Sequence, residues 1–376
     1  MKEGRGSRRQ RNAPTISDVA ACAGVSPMTV SRVINGEKRV RDETRERVEQ
    51  CVASLNYLPS SAARALAGGE EIRIGLLHAN PSFAYFSEFL LGSLDQAGRS
   101  NIQLIIEKCD DDGLDLTAVE KLIKARVDGI ILPPPLSDAE AGLEKVHRHG
   151  LPAVAVATGR APDWALSVSI DNRQAAYDMT RHLGALGHER IGFITGNANQ
   201  AARAERLHGY LTALTDMKLP RAPELIVDGL FTYRSGLEAA DKLLASATPP
   251  TAIFASNDDM AAAVVAIAHR RGFDVPRDLT VCGFDDTVMA TTIWPELTTI
   301  RQPVFDMARR AVELLVQEIR RRNAGALLAQ EPHAVIGYEL IQRQSDGPPA
   351  RSLKAGVNDD GDLGISSVPV LGIALP

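Results

Sequence analysis

The chain has 376 residues, 44% hydrophobic and 24% charged, a composition typical of a globular protein with more than one domain. It has no run of 18 apolar residues, and no apolar stretch follows its basic start. We therefore expect neither a membrane span nor a signal peptide, and we expect a cytoplasmic protein.

Residues 1–69 carry 12 basic and 7 acidic side chains, a net charge of +5. The whole chain has a net charge of −5, which leaves −10 for the remainder. This asymmetry indicates a small basic head and a larger acidic body.

The first eleven residues form a basic arm. They contain Lys2, Arg5, Arg8, Arg9 and Arg11, and no apolar residue follows the initiator Met. This composition predicts a disordered segment over residues 1–14. The residues alone leave open whether the arm contacts DNA phosphates or is a solvated tail.

Residues 15–59 have the pattern of three short helices. Thr15 and Asp18 have the spacing of a capping box at the start of the first helix, and Gly24 is placed to end it. Ser26-Pro27 favours a new helix start directly after that turn. A third helix follows. Two short helices joined by a tight turn are typical of a helix-turn-helix DNA-binding domain.

The outward face of the second helix suits the major groove. Arg32 can donate two hydrogen bonds to guanine, and Met28 can pack on a thymine methyl group. Small donors suited to phosphate oxygens accompany them: Thr15, Thr29, Ser31 and Asn35. The alternative is an ordinary three-helix bundle whose exposed polar residues bind nothing.

Residues 15–69 read TISDVAACAGVSPMTVSRVINGEKRVRDETRERVEQCVASLNYLPSSAARALAGG and resemble the LacI/GalR family of bacterial transcriptional regulators. The resemblance continues to about residue 343. It implies that Pro27, Met28 and Arg32 read bases. It also implies that a second set touches or lies near the DNA backbone: Thr15, Thr29, Ser31, Asn35 and Arg39.

Residues 60–69 lie between head and body. About six residues remain between Pro59 and Gly68, which is too short for a stable isolated helix, so a flexible linker is one interpretation. The resemblance implies instead a hinge helix that orders only on DNA. In it, Leu66 wedges into the minor groove and the small residues Ala63 and Ala67 allow close approach.

Residues 71–344 alternate apolar strands with helices in two units of similar size. This pattern predicts an α/β fold with doubly wound parallel sheets and two lobes, resembling a periplasmic binding protein. Lobe 1 is expected over about 71–170 and 302–330, and lobe 2 over 171–299 and 331–344. A segment resembling the family's PxLTTIxQ return strand would carry the chain back to lobe 1, so three strands would join the lobes.

Ligands of such sheets bind beyond the carboxyl ends of the strands. Asn257 and Asp285 follow two predicted strands, Arg206 lies at the start of a helix after a third, and Phe231 follows a fourth. An Arg, an Asn, an Asp and an aromatic ring suit a sugar, because polar groups bind its hydroxyls and the ring covers its C–H face.

The resemblance implies that effector contacts fall at these four residues, and it adds Phe83, Phe86 and Asp171. For the neighbouring Asp258, Asp259 and Asp286 we prefer roles as helix caps or surface charges. His188 lies in a helix-to-strand turn and is expected to be structural. The histidines show no metal-binding spacing, so no metal and no cofactor are predicted.

Cys22, Cys51, Cys109 and Cys282 are far apart and include no CxxC pair, so we expect four reduced thiols. Residues 345–376 contain Gly, Pro and Asp but no apolar heptad, which predicts a disordered tail and a homodimer rather than a tetramer.

The sequence thus predicts a repressor that binds palindromic double-stranded operator DNA as a dimer. Its effector would be a small molecule, a sugar or sugar phosphate, with a purine or another small metabolite as the alternative. A sugar-binding transport receptor and an α/β enzyme are competitors from other classes. The helix-turn-helix pattern opposes the first, and the absence of GxGxxG, GxxxxGK[ST], HExxH and GxSxG motifs opposes the second.

Overall fold

The fold is that of a computed structural model, which describes residues 14–34, 40–55, 72–109, 116–159, 161–325 and 332–350. The chain divides into a unit that ends at Ile72, called the head, and a unit that begins at Arg73, called the body. The predicted arm and hinge segment, with Asn35, Arg39, Ala63, Leu66 and Ala67, lie outside the described residues. In the described part, no helix is both long and apolar enough to cross a membrane.

The head contains three helices, α1 (Ile16–Ala23), α2 (Pro27–Ile34) and α3 (Asp42–Ser54). The predicted capping box is confirmed, since Asp18 N donates to Thr15 Oγ1 and Thr15 N donates to an Asp18 carboxylate oxygen at 2.7 Å. Gly24 ends α1 with a φ of 65°, a left-handed conformation that glycine adopts at little cost. Ser26 Oγ accepts a hydrogen bond from Thr29 N at 3.2 Å, which caps α2 as expected.

In the described part of the head, larger residues such as Ile16 and Leu55 pack against a buried core of small side chains: Val19, Ala20, Ala23, Val30, Val33 and Val48. A disulfide between Cys22 and Cys51 joins α1 to α3, so the prediction of four reduced thiols is wrong for this pair. Their Cα atoms are 5.9 Å apart, within the range of protein disulfides, although 29 positions separate them in sequence. Helix packing creates the pair, and sequence spacing alone does not reveal it. Cys109 and Cys282 lie outside this disulfide as buried thiols, as predicted.

The body alternates strands and helices. Its first part contains β1 (Arg73–His78), α4 (Phe83–Ser100), β2 (Gln103–Lys108), α5 (Leu116–Lys124), β3 (Gly129–Leu132), a 3₁₀ turn (Leu136–Asp138), α6 (Glu140–Arg148), β4 (Ala153–Val156) and β5 (Leu166–Ser169). The middle contains α7 (Asn172–Ala185), β6 (Ile191–Ile194), α8 (Ala201–Asp216), a 3₁₀ turn (Pro223–Leu225), β7 (Ile226–Val227), α9 (Tyr233–Leu244), β8 (Ala252–Ala255), α10 (Asp258–Arg270), β9 (Thr280–Asp285), α11 (Val288–Thr292) and β10 (Thr298–Arg301). The last part contains α12 (Val304–Asn323), β11 (His333–Val335) and β12 (Glu339–Ile341).

These strands form two six-stranded sheets, which confirms the two-lobed α/β prediction. The order is β11-β5-β4-β3-β1-β2 in the first lobe and β12-β10-β9-β8-β6-β7 in the second. Pairing is parallel except between β10 and β12. The central strands β3, β4, β6 and β8 are buried along their whole length, as expected for sheets covered by helices on both faces.

The chain crosses between the lobes three times, after β5, after β10 and after β11. The sequence placed residues 331–344 in lobe 2, whereas β11 pairs with β5 of the first sheet. A backbone hydrogen bond of 2.8 Å from Ser167 N to Pro332 O begins this pairing. The last crossing therefore comes after residue 335.

Residues 345–350 belong to the second lobe, so the predicted tail begins too early. Ser345 is fully buried, and its backbone O accepts a hydrogen bond from Val281 N at 2.9 Å. Gly347 O accepts from His188 Nε2 at 2.9 Å, which confirms the structural role expected for His188. Residues 345 and 347 thus bind to the start of β9, an interior strand of the second sheet. Residues 351–376 lie outside the described residues.

The disulfide should contribute much of the stability of the head, because a core this small buries little apolar area. We expect reduction to lower the free energy of unfolding of the head by about 3 kcal/mol, since the open chain regains conformational entropy. Calorimetry of the full chain with and without a dithiol reductant measures this change. In the Cys51→Ser variant the reductant should have no effect. An equal shift in wild type and variant would contradict the stabilising role.

Candidate functional site

A cavity of about 40 Å³, open on one side, lies between the two lobes of the body. The first lobe contributes residues of the β1–α4 loop and the ends of two strands: Asn80, Pro81, Ser82, Tyr85, Pro134 and Ala157. The second lobe and the β10 crossing contribute Gln200, Ala202, Arg206, Phe231, Asn257, Asp285 and Gln302. The four residues predicted from strand ends, Arg206, Phe231, Asn257 and Asp285, are therefore brought together.

Arg206 is the buried cation of this cavity, with 4% of its surface exposed. Its guanidinium carbon lies 3.5 Å from the centre of the Phe284 ring, which is a cation–π contact. Its Nε donates to Asn172 Oδ1 at 2.9 Å, and its Nη1 donates to the carbonyl of Ser256. Burial lowers the pKa of Arg206, and the charge of Asp285 opposes this shift. The guanidinium is thus held in one orientation.

Asp285 ends β9 with a φ of 111°, a backbone conformation that side-chain-bearing residues seldom adopt. Its Oδ1 accepts from Gln302 Nε2 at 2.5 Å and lies 3.9 Å from Arg206 Nη1. Burial raises the pKa of Asp285 to about 7, although Arg206 and Gln302 both act to lower it. A carboxyl group that is buried yet titrates near neutral pH is typical of a binding or catalytic site.

Asn257 is held from two sides. Its Oδ1 accepts from Met260 N at 3.0 Å, which caps α10, and its Nδ2 donates to Phe231 O at 3.1 Å. Phe231 has a φ of 59°, so its ring direction depends on this backbone contact. Asn257 therefore positions Phe231 as well as lining the cavity.

The three neighbouring aspartates are neither simple caps nor surface charges, contrary to expectation. Asp258 is fully buried and accepts from Thr287 N at 2.8 Å and from Thr299 Oγ1 at 2.7 Å. Burial and the charge of Asp285 raise its pKa well above the usual value.

Asp286 is also enclosed, between Arg301 Nε at 2.7 Å and Arg343 Nη2 at 2.6 Å. Asp259 is partly buried, and burial raises its pKa while a hydrogen bond with Ser82 lowers it. Ser82 belongs to the first lobe, so Asp259 faces across the cleft. Tertiary packing buries Asp258 and partly encloses Asp259 and Asp286, and local sequence patterns do not indicate such burial.

Three predicted residues do not line the cavity. Phe83 is 81% exposed. Phe86 stacks on His78 with ring centres 3.5 Å apart, and the Asp171 side chain caps α7 through Gln174 N at 2.8 Å. Tyr85, in the first turn of α4, lines the cavity instead.

Sequence reasoning missed Tyr85 and Gln302. Two of the lining residues, Tyr85 and Gln302, each have a buried side-chain oxygen without a hydrogen-bond partner. Such groups are rare and suit a ligand with several hydroxyls. The strand-end rule applied to the return strand would have indicated Gln302, which directly follows β10.

The head presents a second candidate site on α2. Met28 is 65% exposed, and Pro27 and Arg32 are also exposed. Ser31 is half-buried. The hydroxyls of Thr15 and Thr29 are engaged locally, by Asp18 at 2.7 Å and by Ser26 at 3.0 Å respectively. The three residues predicted to read bases therefore all lie at exposed positions of α2.

A helix-turn-helix head followed by a two-lobed body with a polar cavity between its lobes defines a ligand-responsive DNA-binding regulator. Residues 15–60 match the bacterial regulatory proteins of the lacI family, and residues 180–345 match the periplasmic binding protein-like domain. The chain belongs to the LacI family of transcriptional regulators.

Two relatives match over most of their length. Catabolite control protein A of Priestia megaterium is 35% identical over 323 residues, which cover 85% of this chain and 97% of that protein. The transcriptional repressor CytR of Escherichia coli strain K12 is 33% identical over 322 residues, covering 85% of this chain and 94% of that protein.

Solved structures of regulators are also similar to this chain. The lac repressor dimer bound to operator and the anti-inducer ONPF has a TM-score of 0.72 and 28% identity, over 89% of this chain and all of that one. The complex of the regulator CelR with cellobiose has a TM-score of 0.64 and 29% identity, over 88% of this chain and 99% of that one.

The raised pKa of Asp285 predicts that the stability of the body depends on pH. The folded body holds this proton up to about pH 7, whereas the unfolded chain releases it near pH 3.8. The free energy of unfolding should therefore fall as pH rises through this window, by at most about 1.4 kcal/mol per pH unit for this group. Calorimetry of the body transition from pH 5 to 8 should show a shallower slope for Asp285→Asn. If the free energy of unfolding of wild type and variant changed equally with pH, the proton of Asp285 would not cause the pH dependence.

Proposed function

We propose that this regulator is a repressor that binds a palindromic operator as a homodimer and is controlled by a sugar bound between the lobes of the body. The observation that carries the proposal is the fixed guanidinium of Arg206, which lies with Asp285, Asn257 and Phe231 around one cavity. Orienting a polar group before binding reduces the entropy that the ligand must offset.

A neutral sugar fits the charges of the cavity better than a sugar phosphate does. Arg206 already faces Asp285, and Asp258 is buried close enough to Asp285 to shift its own pKa. A phosphate would bring negative charge into a cavity whose one buried guanidinium already faces Asp285, with no further buried cation among the described lining residues. Aromatic rings of Tyr85 and Phe231 can cover apolar faces, and the unpartnered oxygens of Tyr85 and Gln302 can bind hydroxyls.

The DNA-binding part of the proposal rests on the exposed face of α2. Arg32, Met28 and Pro27 would contact bases, while Thr15, Thr29, Ser31, Asn35 and Arg39 would contact the backbone. Leu66, with Ala63 and Ala67, would form the minor-groove wedge at the centre of the operator. The operator-bound dimer of the lac repressor and the cellobiose complex of CelR support both parts by similarity.

The effector assignment is tested by a thermal-shift screen of the full chain against monosaccharides, disaccharides, sugar phosphates and nucleosides. A ligand that binds only the folded state raises the melting temperature. We expect a sugar to do so in wild type and in Arg203→Ala, whose side chain pairs with Asp228 at 2.7 Å and does not line the cavity. Arg206→Ala and Arg206→Lys should lose the shift. A shift by nucleosides alone would replace the sugar by a purine.

The base-reading role of Arg32 is tested by selecting preferred sites from a random duplex library. Arg32→Ala should lose preference at one position of each half-site, a change of about 1–3 kcal/mol in discrimination. Arg47→Ala, at an exposed basic position on α3, should weaken all duplexes alike. If both variants select the wild-type sequence, Arg32 does not read a base. If wild type selects no palindrome at low salt, the repressor proposal fails.

A further inference from the structure

The first turn of α8 is completed by a side chain from the other lobe. The first N–H groups of any helix need acceptors from outside that helix. Gln200, the residue before α8, makes no capping hydrogen bond with its side chain. Instead Ala201 N donates to Asp138 Oδ2 at 2.9 Å, and Asp138 lies in the 3₁₀ turn after β3 of the first lobe.

Asp138 is held in place for this contact from within its own lobe. Its other oxygen, Oδ1, accepts from Thr158 Oγ1 at 2.7 Å, and Thr158 is buried. Burial raises the pKa of Asp138, and the bonds from Thr158, Ala201 and Gly159 oppose that shift. A carboxylate near a helix N-terminus is also favoured by the helix dipole.

A second residue of the first lobe contacts the same turn. A β-carbon on Gly159 would lie 2.7 Å from Ala201 Cβ and 2.8 Å from Glu205 Oε1. Real β-carbons do not approach other atoms so closely, so any larger residue here would push the lobes apart. Gly159 has no side chain that would keep the first lobe away from the first turn of α8, and Asp138 accepts a hydrogen bond from that turn. The two residues thus favour the same close contact independently.

We propose that Asp138 and Gly159 form an interlobe latch on the first turn of α8, which favours the closed arrangement of the lobes. Asp138 is a positioning residue, because it acts on the helix that carries Arg206 rather than on the cavity itself. Separation of the lobes removes the cap from α8 and opens the cavity in the same movement. The latch therefore sets how much of the closing free energy an effector must supply.

Hydrogen exchange followed by mass spectrometry on the full chain tests the latch. In Asp138→Ala, amides in the first turn of α8 should exchange roughly tenfold faster, since they lose their charge-assisted partner. Amides beside the cavity on both lobes, around residues 80–85 and 256–260, should also exchange faster. Gly159→Ala should give the same pattern by steric separation. Asp138→Asn keeps an acceptor for Ala201 N and should be intermediate.

Glu140→Gln is the matched control, because Glu140 is an exposed acid two positions beyond Asp138, and it should exchange like wild type. Unchanged exchange at α8 in Asp138→Ala would overturn the latch. So would acceleration confined to β3 and β4, which would indicate a local packing role. The latch rests on the proposed function only in assigning the cavity to an effector. If no sugar binds, the proposed function fails while the exchange result still decides the latch.

Discussion

Most of the effector site depends on one buried cation. Arg206 lies between the ring of Phe284 and the carboxyl of Asp285, and it would be costly to bury without these partners. Asp285 in turn requires Gln302, which lies where the chain crosses from the second lobe to the first. The interaction thus joins the cavity to the segment that connects the second lobe to the first after β10.

The sequence predicts the architecture well because its signals are local. Apolar strands such as β3 and β8 are buried throughout, and caps such as Thr15 and Ser26 lie where their spacing places them. The assignments that proved wrong concern the short edge strand β11 and the segment after residue 344, which are fixed by pairing with distant strands.

The site is predicted only in part, for a related reason. Residues at strand ends, such as Asn257 and Asp285, follow from topology. Phe83 and Phe86 were implied by the resemblance alone, in a segment where one position more or less decides which side chain faces the cavity, and the cavity is lined by Tyr85 between them. The burial of Asp258 and the pairing of Cys22 with Cys51 arise from packing between elements far apart in sequence, which local patterns do not encode.

The three connections between the lobes limit how the body can move. A single connection would allow the lobes to twist and slide in many directions, whereas three neighbouring segments that must flex together restrict them to rotation about roughly one axis. The direction of the motion is then a property of the backbone, and the ligand determines only its extent. Cavity residues such as Tyr85 and Phe231 can therefore be exchanged for others that recognise a different molecule, while the lobes keep the same axis of rotation.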